Sequence, residues 1–299
     1  MDASTELFQK HRPRLLGLAY RMLGTQADAE DVLHDAWLRW HAQDKAALDD
    51  PEAWLVTVTT RLALDRLRRA KVEREHYTGP WLPEPLIEPQ EQPDTQAEQA
   101  ETLTLSFLML LERLNPEERA AFLLREVFDY SHAEAAAILG ITEESCRQRA
   151  HRAKQRLHDE RARFTTNLET QRRLLERFAQ ALQQPTEENL RALFAEDAVH
   201  ISDGGGIVTA ALRPLLGNER IARLYLQVAK HEHGHDVRRQ LRTLNGAPVL
   251  LTWADGQLVT ACWIECDGEH IVAVHALRNP EKLARLAAVT KSPGGSSLH

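Results

Sequence analysis

Two spacings of apolar residues divide the chain. Through its first part and again in the middle they recur every three to four residues, the period of a helix with one buried face. Toward the C-terminus they alternate or run in short blocks, as in strands. Leu15, Leu16, Leu18, Ala19, Met22 and Leu23 predict a helix that stops at Gly24. TQADAEDVLHDAWLRW opens a second with polar and acidic residues, and Pro51 opens a third, PEAWLVTVTTRLALDRLRRAK. From Tyr77 to about Gln99 five prolines interrupt the pattern, which reads as an extended linker. Residues 102–165 are helical again in four segments. Asn115-Pro116-Glu117-Glu118 is a cap followed by proline and acids, Ser131-x-x-Glu134 a capping box, and Gly140 a helix end. Thr142 then caps the basic helix EESCRQRAHRAKQRL.

The last part mixes both periods. Helices at 167–183 and 186–195 precede a strand, AVHIS, and a glycine run, and GNERIARLYLQVAK forms another amphipathic helix. Four strand-like runs follow, DVRRQLRTL, PVLLTW, QLVTACWIEC and HIVAVHAL, joined at Asn245-Gly246, Asp255-Gly256 and Asp267-Gly268, which are strong hairpin signals. Asn279-Pro280-Glu281 starts a closing helix. Helices followed by an antiparallel meander predict an α+β domain with helices on one face of a curved antiparallel sheet. The expected organisation is multidomain: all-α domains at 1–77 and 102–165, a Pro-rich acidic linker at 78–101, an α+β domain at 166–289 and a disordered tail at 290–299.

Composition narrows the class. Among 299 residues 43% are hydrophobic and 27% charged, the balance of a soluble protein, and no apolar run approaches the length of a membrane span. Three cysteines, Cys146, Cys262 and Cys266, without CxxC spacing suit a reducing cytoplasm. The net charge of −7 argues against nucleic acid only if it is spread evenly. It is not, because RLALDRLRRAKVER (61–74) and RQRAHRAKQRLHDERAR (147–163) are basic. Two basic stripes in two helical segments, one of them a helix–turn–helix layout, point to nucleic acid.

The ordered motifs carry a resemblance. FQKHRPRLLGLAYRMLGTQADAEDVLHDAWLRW with AWLVTVTTRLALDRLRR resembles region 2 of a bacterial sigma factor, and LERLNPEERAAFLLREVFDYSHAEAAAILGITEESCRQRAHRAKQRL resembles region 4. With a linker too short for a folded region 3, the chain is similar to extracytoplasmic-function (ECF) sigma factors. YTGPWLPEPL, the DGGG stretch and NPEKL are similar to motifs of an ECF subgroup with a fused, cone-shaped SnoaL-like C-terminal domain. The resemblance implies core RNA polymerase and promoter DNA as partners, no membrane, no cofactor or metal, no enzymatic activity, and regulation in cis without a separate anti-sigma factor. Glu30, Asp31, Asp35 and Trp37 are implied in polymerase binding. Arg61, Arg66, Arg68 and Arg69 are implied at the minus-ten element, with Asp65 an internal partner and Trp54 a core anchor. Thr142, Glu144, Ser145, Arg147, Gln148 and Arg149 are implied at minus-thirty-five base edges, with Arg152, Lys154 and Arg156 on phosphates. Cys146 is read as packing, and Ala135 stands where a larger aliphatic is usual.

The glycines Gly204, Gly205 and Gly206 lack the GK[ST] of a phosphate loop, and Ile207 follows them. They read as a tight hairpin, and the resemblance implies that it also touches another domain. The interdomain set the resemblance implies is Trp81, Leu82 and Pro83 with Asp203 to Gly206 and with Asn279, Pro280, Glu281, Lys282 and Leu283. The linker WLPEPL lies along region 2 or hangs free. The rival reading is a ligand-binding or enzymatic C-terminal domain tethered to a DNA-binding module, with His200, Asp203, Asp255 and His275 lining a pocket for an unknown small ligand. HEHGH (231–235) is read as a polar, pH-responsive turn rather than a metal site.

Overall fold

The computed structural model describes residues 3–86, 104–161 and 167–290. They divide into two compact units, one built from 3–76 and 107–160 and the other from 77–86, 104–106, 161 and 167–290. The expected rest of the linker, 87–101, lies outside the described residues, as does the tail apart from Thr290. That residue is buried, and its amide donates to the Leu286 carbonyl at a helix end rather than belonging to a loose tail.

The helical unit begins with α1 (Ala3–Leu23), α2 (Gln26–Ala42) and α3 (Pro51–Glu75). Leu15, Leu18, Ala19, Met22 and Leu23 are buried on the expected face, and Gly24 takes the left-handed conformation that ends α1. Asp50 caps α3 through its bond from Ala53 N, with Pro51 in the first turn where no N–H is needed. Trp54 packs beside the fully buried Trp40. After α4 (Leu105–Glu112), Asn115 caps α5 (Pro116–Phe122), which runs into a π turn at Leu123–Val127. Ser131 and Glu134 form both halves of a capping box on α6 (His132–Leu139). Gly140, at φ +69°, turns the chain into α7 (Glu143–Arg161), and Thr142 accepts from Ser145 N. Cys146 is buried, which pushes its thiol up and leaves it a packing residue.

The α+β unit holds α8 (Leu168–Ala181), α9 (Glu187–Arg191), β1 (Phe194–Asp203), β2 (Leu215–Leu216), α10 (Asn218–Glu232), β3 (Val237–Leu244), β4 (Ala247–Ala254), β5 (Gln257–Cys266), β6 (Ile271–Leu277) and α11 (Pro280–Val289). The order is β2-β1-β6-β5-β4-β3. The meander β3 to β6 is antiparallel as expected, but β1 lies parallel to β6, so the sheet is mixed. Tight turns couple only neighbours in sequence. β1 reaches β6 through the long connection that parallel strands require. β1 is also longer than AVHIS and begins at Phe194, within the segment expected to be helical. Its antiparallel partner β2 starts only at Leu215, so the glycines open a wide loop rather than a tight hairpin.

One face of the sheet is filled. Leu174, Leu175 and Phe178 of α8, Ile221 and Tyr225 of α10, and Leu250, Cys262, Ile264 and Val274 of the strands form a single apolar cluster. Phe178, Phe194 and Tyr225 meet there ring to ring.

Candidate functional site

In the α+β unit the three motifs meet at one carboxylate. Asp203, the last residue of β1, is fully buried. Its Oδ1 accepts from Tyr77 Oη at 2.6 Å and Gly205 N at 3.0 Å, and its Oδ2 from Leu82 N at 2.9 Å and Lys282 Nζ at 2.7 Å. Lys282, in the first turn of α11, also donates to Leu82 O at 2.6 Å and lies over the Trp81 ring, 4.2 Å from its centroid. The ammonium thus neutralises the buried charge and holds the linker main chain in the same act. Burial and the bond to Asp203 hold the Tyr77 phenol well above its usual range, so it remains a donor. Asn279 caps α11 through Glu281 N and donates to Tyr77 Oη at 2.9 Å.

The glycines let these parts approach. Gly205 and Gly206 adopt φ +64° and +72°. A Cβ on Gly204 would stand 2.5 Å from Val208 O, and one on Gly205 would collide with the Asn279 side chain. Trp81, Leu82, Pro83, Asp203 to Gly206, Asn279, Lys282 and the buried Leu283 are therefore brought together. Pro280 serves as the first helical residue, and Glu281, exposed, contributes its amide to the Asn279 cap. The linker neither hangs free nor ends its contacts at Pro83, because Leu86 N donates to Asn245 Oδ1 at 2.7 Å and Asn245 N to Leu86 O at 3.2 Å. Asn245 reads in the sequence only as a turn residue, and its side chain's second task leaves no signal there. Tyr77 was detectable as the first letter of YTGPWLPEPL.

The four residues expected to line a pocket do not converge. His200 and His275 sit on opposite faces, since neighbouring strand positions alternate and His200 pairs with Val274 while Ile201 pairs with His275. His200 bonds the Tyr225 hydroxyl at 3.2 Å, and burial lowers its pKa to about 4. His275 bonds Glu265 at 3.2 Å. Asp203 belongs to the linker site. Asp255 is exposed in the β4–β5 turn, 2.6 Å from His235 Nδ1. Among the described residues no group of three or more histidines, cysteines and carboxylates could hold a metal ion.

In the helical unit Asp31 and Asp35 are exposed one turn apart on α2, with Glu30 bonded by Gln26 Nε2 and Trp37 packed edge-on to Phe8 at 5.0 Å. On α3, Arg66 Nε pairs with Asp28 at 2.8 Å, Arg68 with Asp65 and Glu117 at 2.9 Å each, and Arg69 Nε reaches Asp65 O at 3.4 Å. Arg61 turns to α6, donating to Ile138 O at 3.0 Å and Ala137 O at 3.3 Å. On α7, Glu144 and Gln148 bond each other, Arg147 pairs with Glu143, and Ser145 lies in the first turn with the half-buried Arg149 one turn on. Further along, Arg152 and Arg156 meet Glu118, and Lys154 meets Glu126.

Residues 7–73 match the family Sigma-70 region 2, and residues 104–157 match Sigma-70, region 4. The ECF RNA polymerase sigma factor SigJ of Mycobacterium tuberculosis (strain ATCC 25618 / H37Rv) is 35% identical over 243 residues, 80% of this chain and 78% of SigJ. The probable ECF RNA polymerase sigma factor SigI of M. tuberculosis (strain CDC 1551 / Oshkosh) is 27% identical over 290 residues, 96% and 97% of the two chains. The crystal structure of M. tuberculosis SigJ superposes with a TM-score of 0.73 at 31% identity, covering 94% of this chain and 98% of that one.

Proposed function

The chain belongs to the ECF sigma factors of RNA polymerase, which direct promoter-specific initiation, and on that premise we propose that its α+β domain restrains initiation in cis by gripping the linker at Asp203. The observation that carries this reading is the fully buried Asp203 carboxylate, half of whose bonds come from linker residues Tyr77 and Leu82. The linker joins the two DNA-binding regions, whose elements are roughly 25 base pairs, or about 85 Å, apart along B-DNA. Fully extended, residues 77–103 reach at most about 90 Å. With 77–86 held on the α+β domain, the remainder reaches only about 60 Å. The grip therefore shortens the span between the regions.

In this reading Glu30, Asp31, Asp35 and Trp37 face the polymerase. Arg61, Arg66, Arg68 and Arg69 serve the minus-ten element, and Thr142, Glu144, Ser145, Arg147, Gln148 and Arg149 with Arg152 and Lys154 serve the minus-thirty-five element. The domain acts where the polymerase acts, in the cytoplasm. A tethered restraint at an effective concentration of order mM needs no separate anti-sigma factor. The work is binding and positioning, and the polymerase carries the chemistry.

The test is run-off transcription with core polymerase on promoters selected from a random library, comparing the full chain with Asp203→Asn, Lys282→Met and residues 1–165. Release of the restraint raises transcript several-fold in all three variants. Equal or lower transcript from every variant sinks the restraint.

A further inference from the structure

The linker segment held by the α+β unit has the form of a peptide ligand. Pro80-Trp81-Leu82-Pro83-Glu84-Pro85-Leu86 belongs to no helix or strand, yet Leu82, Pro83, Glu84 and Pro85 are buried, Leu82 completely. It is fixed at two points four residues apart. Leu82 is held at Asp203 on β1, and Leu86, by a bond each way, at Asn245 between β3 and β4. In the sheet β6 and β5 lie between these anchors. Three strand spacings of about 4.8 Å need about 14 Å, which four residues span only when extended. Pro83 and Pro85 fix their own φ and bias Leu82 and Glu84 toward the same extended form, so the segment meets the sheet already shaped for it. Leu82 and Leu86 donate their amides, which excludes proline at those two positions and admits it between them. Trp81 offers its ring to Lys282 Nζ, 4.2 Å from the centroid, and Glu84 a carboxylate 4.0 Å from Arg285. By register, the face of the sheet that carries Asp203 also carries Leu277, His275 and Trp263, each at most 2% exposed. On that face Trp263 Nε1 and His275 Nδ1 are buried without a hydrogen-bond partner among the described residues. Buried polar groups left unpaired carry a desolvation penalty, so the linker is not the best ligand this surface can take.

We propose that the α+β domain is a peptide-binding module, and that its second ligand is an extended segment of another protein with the pattern aromatic–aliphatic–Pro–x–Pro–aliphatic. Such a segment takes the place of residues 81–86 and frees the linker. Recognition combines proline spacing, which lowers the cost of ordering, with main-chain bonds at both ends and a ring under an ammonium. None of these contacts requires the ligand to be joined to this chain. The tethered linker acts at an effective concentration of order mM, so a free peptide of equal intrinsic affinity displaces half of it at a similar concentration. A segment that also brings polar groups to Trp263 and His275 does so at less. Binding of the segment stands on this geometry alone, whereas its effect on transcription rests on the restraint reading.

The probe is the synthetic peptide TGPWLPEPLI, the sequence of residues 78–87, with a dye at its N-terminus, and its anisotropy is followed as full chain is added. A chain carrying Trp81→Ala and Leu82→Ala loosens its own linker and keeps the receiving surface. The expected result is saturable binding to this chain, about tenfold or more tighter than to the native chain, where the linker competes. Leu82→Pro in the peptide removes the amide that donates to Asp203 and weakens binding about tenfold. In run-off transcription with the native chain and core polymerase, peptide at about 1 mM raises transcript toward the level of Asp203→Asn. If the substituted chain does not fold, displacement is read in the native chain by hydrogen exchange. Excess peptide then speeds exchange at the Leu82 and Leu86 amides several-fold, and unchanged exchange overturns the proposal. No saturable binding to a folded substituted chain, or equal binding of the Leu82→Pro peptide, also overturns it. Binding of the stated pattern with transcript unchanged sustains the module and overturns the restraint reading instead.

Discussion

The linker site of the α+β unit and the seam of the helical unit, where Glu112 of α4 pairs with Arg119 of α5 and Arg74 of α3, use the same parts at different depths. Each centres on a carboxylate, each neutralises it with a cation that also serves a main-chain carbonyl, and each joins segments far apart in sequence. Asp203 has no exposed surface and one cation, whereas the Glu112 side chain is 22% exposed and shared by two. The deeper site depends on a single cation, and the shallower one has redundancy and access to water. Depth decides how much one substitution does.

Lys282→Met separates the two most sharply. It leaves Asp203 charged and buried without its counterion, an expected loss of about 3–5 kcal/mol in urea or thermal unfolding. Adding Asp203→Asn to Lys282→Met recovers most of that loss, and a double variant as unstable as the single one breaks the comparison. The buried imidazole of His200, bonded to neutral Tyr225, tests what burial does without a counter-charge. Its pKa falls from 6.5 to about 4, so the unfolded chain binds the proton more tightly. The contribution is fully present above pH 6.5 and disappears as pH falls toward 4, about 3 kcal/mol in all. His200→Phe flattens that limb of the stability–pH profile.

Glu112→Gln at the seam costs less, about 2–3 kcal/mol, because both arginines keep their carbonyl acceptors. A loss larger than that of Lys282→Met reverses the ordering by depth. Gly205→Ala costs about 1–3 kcal/mol through its positive φ and its collision with Asn279, and it lowers run-off restraint in the same direction as Asp203→Asn. Asp255→Asn, at the exposed His235 pair, leaves the melting temperature unchanged.

Much of this was legible in the sequence where the determinants are local. Asp50-Pro51, Asn115-Pro116 and the Ser131–Glu134 box announce helix starts because caps act on their own first turn. The hairpin dipeptides place β3 to β6 for the same reason. The parallel β1–β6 pair leaves no such mark, since its partners are fixed by packing and not by a turn. The motifs 77–83, 203–206 and 279–283 stand out by resemblance, but nothing in their residues says that Asp203 is their junction. Arg61 reads in the sequence as a minus-ten contact, and Arg119 carries no signal of its own there. That each caps a helix of the other region, Arg61 at the end of α6 and Arg119 at the end of α1, depends on where those helices end in space, which periodicity does not encode.

At the Asp203 site the linker is held through the amide and carbonyl of Leu82 as well as through the Tyr77 hydroxyl and the Trp81 ring. The grip therefore measures length. Tyr77 and Leu82 reach the same carboxylate only with the native number of residues between them, so the segment works as a ruler of fixed gauge. Substituting the side chain of Leu82 alters packing, whereas inserting or deleting one residue between Tyr77 and Leu82 moves a wrong peptide group under Lys282.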